Sequence, residues 1–284
     1  MVGGVPILIN KSSSIFAIDE IAHQHETASK PRYGKLARTL KRLVPTIFCN
    51  IRADKHYAEL ARLLVERNPK PVVLVIGGAT EGEGLRRILL DPGIRLVETD
   101  IYFGPRTTLI CDAHDVPFQE ATFDGVVIQE VLEHVVDPFR CADEIHRVLK
   151  PGGLVYAETA FMQAVHEGRY DFMRFTDLGH RRLFRRFQEI HRGAVAGPGT
   201  ALAWAYRSFL LSFASSSALQ LALRAFAHFT SFWLKYFDYL LANTRSGLDG
   251  ACQLYFLGRK SDETLGDKEL LTLYRGCNQS GVPL

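Results

Sequence analysis

From residue 54 onward the chain alternates short apolar runs with amphipathic stretches. Tyr57, Leu60, Ala61 and Leu64 recur at helical spacing and predict a helix over Asp54–Asn68, with Asp54 at its cap and "NP" at 68 and 69 as its stop. "VVLVI" at Val72–Ile76 has no polar position and reads as a strand buried on both faces. A short helix over Gly84–Leu90 follows, then strands at Leu96–Asp100, Leu109–Asp112 and Gly125–Gln129. Pro138–Leu149 predicts a helix with proline in its first turn, ended by "KPGG" before a strand at Leu154–Thr159. Beyond it the pattern gives a short basic helix at His180–Phe187 and a strand at Glu189–Ala196. About forty aromatic-rich helical residues and a last strand at Ala251–Leu257 complete it. This alternation predicts an α/β fold: a doubly wound, mostly parallel, seven-stranded sheet of Rossmann-like form, with a helical insert before the final strand.

The same pass divides the chain into an N-terminal extension (1–53), a central domain (54–260) containing the insert 200–244, and a tail (261–284). The extension becomes basic at Lys30, Arg32, Lys35, Arg38, Lys41 and Arg42. A content of 47% hydrophobic and 23% charged residues suits a globular protein, and a net charge of +3 selects no class of partner. Five scattered cysteines without a CxxC pair give neither a disulfide framework nor a zinc site, and a reducing, cytoplasmic setting is expected. The longest charge-free run of the insert, Ser208–Leu223, has 16 residues with five serines and a glutamine, too short and too polar for a span of roughly 20 apolar residues.

Chemistry first shows in "GGATEG", residues 77–82, directly after the Val72–Ile76 strand. In a doubly wound sheet the ligand lies beyond the carboxyl ends of the strands, and Asp100, ending the next strand, is placed to accept from both hydroxyls of a ribose. A dinucleotide would set its pyrophosphate against this loop. Glu81 and Glu83 oppose that, and favour a ligand bringing an ammonium and a sulfonium instead. A nicotinamide-dependent oxidoreductase is the reading that this charge argument weighs against.

Residues 111–159, "CDAHDVPFQEATFDGVVIQEVLEHVVDPFRCADEIHRVLKPGGLVYAET", resemble the class I S-adenosylmethionine-dependent methyltransferases, in the branch with "LEH" after the fourth strand and "LKPGG" before the fifth. The resemblance covers roughly residues 70–190. It implies S-adenosylmethionine as cofactor. Gly77, Gly78 and Ala79 would pass under its methionine and ribose parts, and Asp100, with Ile101 beside it, would hold the ribose. Asp112 and the Ala113 N–H would meet the adenine, and Gln129 would line the wall near the sulfonium. Val75 departs from the acidic residue often found in the strand before the loop. "GVPILIN" near the start resembles the closing strand of a zinc-ribbon module but lacks its cysteines, so no metal is expected.

Methyl transfer gains most from holding the nucleophile and the methyl in line, and needs a general base only where the acceptor loses a proton. His134 and His166 are the candidate catalytic bases, with Asp171 a further one; His134 is also read as packing under the cofactor. Tyr170, Arg174 and His180 are candidate substrate contacts in the polar segment after the fifth strand. Seven arginines lie between residues 169 and 192. Leu183, Phe184, Phe187 and Ile190 at helical spacing put Arg181, Arg182, Arg185 and Arg186 on a solvated face, with an anion-binding surface as the rival; no RNA-binding module accompanies them.

The insert reads either as a lid or homodimer contact, or as an interfacial helix pair resting on the inner face of a membrane. Its arrangement resembles that of bacterial methyltransferases linked to cell-surface polysaccharide assembly. The expected function is methyl transfer to an oxygen, or second to a nitrogen, of a small-molecule, glycan or lipid-linked acceptor. A non-catalytic scaffold of the same fold remains the alternative.

Overall fold

The computed structural model describes residues 1–19, 21 and 44–277. The basic cluster Lys30–Arg42 lies outside them.

Eight strands form one sheet: β1 (Ile7–Leu8), β2 (Val72–Ile76), β3 (Arg95–Asp100), β4 (Leu109–Cys111), β5 (Phe123–Gln129), β6 (Leu149–Ala160), β7 (Phe187–Ala196) and β8 (Gln253–Lys260). Their order is β1-β4-β3-β2-β5-β6-β8-β7. All neighbours run parallel except β8, which is antiparallel to both β6 and β7. The α/β, doubly wound, mostly parallel architecture is therefore as the pattern predicts, with one strand more than seven. The extra strand is β1, in a stretch without periodicity, where Ile7 and Leu8 pair with Ile110 and Cys111. Two residues are too few for an alternation to show in sequence.

The two faces follow from strand period two. Leu74, Ile76, Val126, Ile128, Val155 and Ala157 point one way, onto Cys141, Ile145 and Val148 of the helix Pro138–Val148. Val73, Val75, Val127, Leu154 and Tyr156 point the other way, onto Tyr57, Leu60 and Leu64 of the helix Ala53–Arg67. We label these helices α1 (Ala53–Arg67) and α3 (Pro138–Val148), with the one-turn α2 (Arg86–Leu89) between them. Pro138 opens α3, and the Asp137 carboxylate caps it by accepting from the Arg140 N–H at 3.1 Å. Asp54, read as the cap of α1, sits instead inside its first turn, and Arg52 holds the cap position without a side-chain bond.

The short basic helix α4 spans Asp177–Leu183, earlier than the apolar spacing indicates, because Phe184 and Phe187 belong to the turn and strand that follow. Arg181 is not on a solvated face. Its side chain is buried, donating to the Phe184 and Phe187 carbonyls and lying 3.3 Å from Glu189. The neighbouring arginines also have internal partners, Arg185 with Asp267 and Arg186 with Asp143, so this surface is largely neutralised.

The insert holds α5 (Pro198–Leu211), α6 (Ser217–Ser231), a 3₁₀ stretch Phe232–Phe237 and the short α7 (Asp238–Leu241). Fully buried Asp238 fastens it: its carboxylate accepts from the Gly199 and Thr200 N–H groups, at 2.7 and 3.1 Å, at the start of α5. The outer side is apolar, with Phe209, Phe213, Leu221, Phe226, Phe229, Trp233, Tyr239 and Leu240 exposed. Among the described residues no helix is long and apolar enough to cross a membrane.

Candidate active site

The strand order reverses between β2, which leads to β3, and β5, which leads to β6. At the carboxyl ends of these strands lies a cavity of about 840 Å³. Gly77, Ala79, Asp100, Ile101, Asp112, Ala113 and Gln129 all line it, as do His134, His166 and Tyr170. Four predicted residues, Gly78, His180, Arg174 and Asp171, do not. Gly78 is buried against β3, where an added Cβ would meet that of Glu98 at 3.2 Å. His180 is buried between Phe175 and Phe184, and burial lowers its ring to about 3, so it is a neutral core residue. Arg174 is committed to the segment it sits in, bonding Asp171 and the Gln163 and Met173 carbonyls. Burial pushes Asp171 up, but this guanidinium outweighs it and brings the carboxyl down to about 2; Asp171 is a fixed anion, not a base.

The glycine loop is built for contact with β3. Gly77 has φ +84°, and a Cβ there would strike Val131 at 2.4 Å, so only glycine fits. Its N–H and that of Gly78 both donate to the Thr99 carbonyl at 2.9 Å, and the Ala79 N–H donates to Asp100 Oδ2 at 2.9 Å. Three loop amides are thus already used, and the helix that follows has one turn. Pyrophosphate binding wants free N–H groups and a full helix dipole. With Glu81 and Glu83 also on the wall, the loop is unsuited to a dinucleotide.

Asp100 accepts from Ala79 and, through Oδ1, from Tyr102 N–H at 2.8 Å; burial raises its carboxyl, and these backbone bonds hold the rise in check. Burial likewise pushes Asp112 up, but bonds from His114 and Ser14 outweigh it and leave it lowered. Gln129 is locked by Tyr57 and by Glu158, which also accepts from Asn50. Val75 is buried in the wall below.

The N-terminal extension takes part, which its sequence does not signal. Ser14 bonds Asp112, Phe16 and Phe48 line the cavity, and the Asn50 N–H donates to Glu83 at 2.7 Å. Elsewhere on the wall His134 meets His166, His166 meets Trp204 of α5, and Gln253 bonds both Glu130 and Gln163. Glu130 has φ +54°, an uncommon backbone for a non-glycine residue and one that marks functional sites. Glu130 and Glu133 fall within "QEVLEH", so the spacing to His134 was their one available signal.

Residues 89–157 match a family described as the methyltransferase domain. A demethylmenaquinone methyltransferase of Symbiobacterium thermophilum is 37% identical over 76 residues, 27% of this chain and 30% of its own. A ubiquinone/menaquinone biosynthesis C-methyltransferase of Geotalea daltonii is 29% identical over 133 residues, 44% of this chain and 57% of its own. A mouse mitochondrial arginine-hydroxylase also matches, 45% identical over 58 residues, 20% of this chain and 16% of its own. The chain spans less than two thirds of the length of each of these relatives. Among solved structures, a Haemonchus contortus phosphoethanolamine N-methyltransferase has TM-score 0.47 at 16% identity, over 84% of this chain and 61% of that one, a likeness too loose to bear on function. Across residues 89–157, from the end of α2 to β6, the chain is therefore similar to a methyltransferase domain.

Proposed function

We propose that the whole protein transfers a methyl group from S-adenosylmethionine to an oxygen of a small-molecule acceptor that is carried on a lipid or a lipid-linked glycan, with nitrogen as the second choice of atom. The observation that carries this reading is the single cavity. Asp100, Asp112, His134, His166 and Tyr170 all line it. Asp100 takes the ribose hydroxyls, Asp112 and the Ala113 N–H take the adenine, and Gly77, Ala79 and Gln129 border the methionine and sulfonium. His134, His166 and Tyr170 then face the acceptor. The chemistry asked of them is mainly alignment, because in-line methyl transfer disperses charge.

The insert supports a lipid-borne acceptor. Trp204 on the inner side of α5 lines the cavity with its ring centroid 6.1 Å from that of His166, so the insert packs directly against the cavity. From residue 190 to residue 237 the sequence has no Asp or Glu, while Arg224 and Arg245 are exposed. An apolar, acid-free surface of this kind binds the interface of an anionic bilayer. Two of the basic residues turn inward, Arg207 over the Trp204 ring and Lys235 onto Thr46, which leaves less charge for headgroups than the sequence suggests.

Two measurements test the reading. The protein should sediment with anionic liposomes at low salt, and replacing Phe209, Phe213 and Phe229 by Ser together should abolish this; an unchanged supernatant fraction would leave the insert as a lid or dimer contact. With methyl-labelled S-adenosylmethionine and a membrane-lipid extract, label should enter the organic phase. Label found only in water-soluble products would overturn the lipid-borne acceptor.

A further inference from the structure

Beyond the roles above, the two histidines that line the cavity face each other in a way that two neutral rings do not satisfy. His134 Nδ1 is 2.9 Å from the Tyr170 carbonyl, which only accepts, so Nδ1 carries the proton and Nε2 presents a lone pair. His166 Nδ1 faces the Ala164 carbonyl at 3.3 Å and the Asp171 carboxylate at 3.5 Å, again only acceptors, so its Nε2 is bare as well. The two Nε2 atoms are 3.1 Å apart. Two lone pairs at that distance repel unless a positive centre lies between them.

A third group points to what that centre is. Glu133 is fully buried; its Oε1 accepts from the Ala160 N–H at 3.1 Å, while Oε2 has no partner. A carboxylate oxygen of Glu133 and one ring nitrogen from each histidine all lie within 4.8 Å of one another. An unpartnered buried acceptor is costly, and a cation beside it removes that cost. Metal-bound histidines commonly donate their other N–H to a carbonyl or carboxylate, the arrangement both rings show here.

We propose that Glu133, His134 and His166 form a binding site for a divalent first-row transition-metal ion at the acceptor end of the cavity. Two imidazoles and one carboxylate suit zinc, iron or cobalt better than magnesium or calcium. Ligand bonds of roughly 2.0–2.2 Å require the three donors, which lie within 4.8 Å of one another, to draw inward around the ion. Three protein ligands leave open positions, and both histidines line the cavity, so those positions face the acceptor. That the ion holds an acceptor oxygen rests on the methyl-transfer reading; that it binds does not.

Cobalt(II) is the probe, because its visible absorption reports coordination directly. Added to the full chain after chelator treatment, it should give ligand-field bands that saturate at one ion per chain and vanish on adding zinc. His134→Ala and His166→Ala should each weaken binding by more than the roughly 10–100-fold that loss of a supporting group costs, and Glu133→Gln should weaken it too. Thermal melting checks that each variant folds, with His166→Gln replacing any that does not. Absent bands, or affinity unchanged in both histidine variants, would overturn the site and leave a proton shared between the rings. Cobalt binding without S-adenosylmethionine binding would sink only the methyl-transfer reading. The reverse would sink only the metal.

Discussion

Asp100→Ala is expected to weaken S-adenosylmethionine binding by about 1–3 kcal/mol, the usual cost of leaving buried polar groups without a partner. At 1.4 kcal/mol per tenfold, this is a loss of roughly 5- to 150-fold. The residue acts twice. It faces the cavity at the end of β3, and it fixes the loop opposite by accepting from the Ala79 and Tyr102 N–H groups. Asp100→Asn should rescue little, since both carboxylate oxygens are already used on backbone donors and an amide group would face one of them. Calorimetry reads the affinity, and the melting temperature reads the loop separately. Unchanged affinity in Asp100→Ala would remove it from the cofactor site.

The second large effect concerns pH. Glu158 is fully buried, and burial raises its carboxyl to about 7 despite bonds from Tyr156, Asn50 and Gln129. An acid raised on folding contributes stability that is fully present below its unfolded value, near 4.3, and is lost as pH rises through about 7. Between pH 5 and pH 8 this one group should cost the fold about 2–3 kcal/mol, at 1.36 kcal/mol per unit. Denaturant unfolding at both pH values checks it. The Glu158→Gln protein should lose that much less stability over the interval than the parent, and equal losses in the two proteins would show that Glu158 keeps its ordinary titration.

How much of this was legible in sequence depended on how local each cause was. Strands β2 and β5 could be read because an apolar run needs no partner to be recognised, and α3 because its proline and "KPGG" mark both ends. Asp100 could be proposed because it ends a strand beside the glycine loop, and Asp112 and Gln129 because the segment that holds them resembles a known family. Features made by distant partners were not legible. Arg181 looked solvated by helical spacing, yet Glu189 and two carbonyls draw it inward. His180 sat in a polar segment but packs between Phe175 and Phe184. Ser14 carries no local signal, since its role appears only once β1 has brought the N-terminus to β4, and Asn50 carries none because its partners Glu83 and Glu158 are distant in sequence. The sequence also gave no reason to expect a metal. Glu133 and His134 are adjacent, but His166 joins them from 32 residues away, across the loop that follows β6.

The choice of cofactor is the central claim, and titration calorimetry of the full chain with S-adenosylmethionine, with NADH as control, tests it most directly. The loop amides spent on Thr99 and Asp100, and the acidic wall beside them, predict micromolar binding of S-adenosylmethionine and no heat from NADH. Binding of NADH, or of neither ligand, would contradict it.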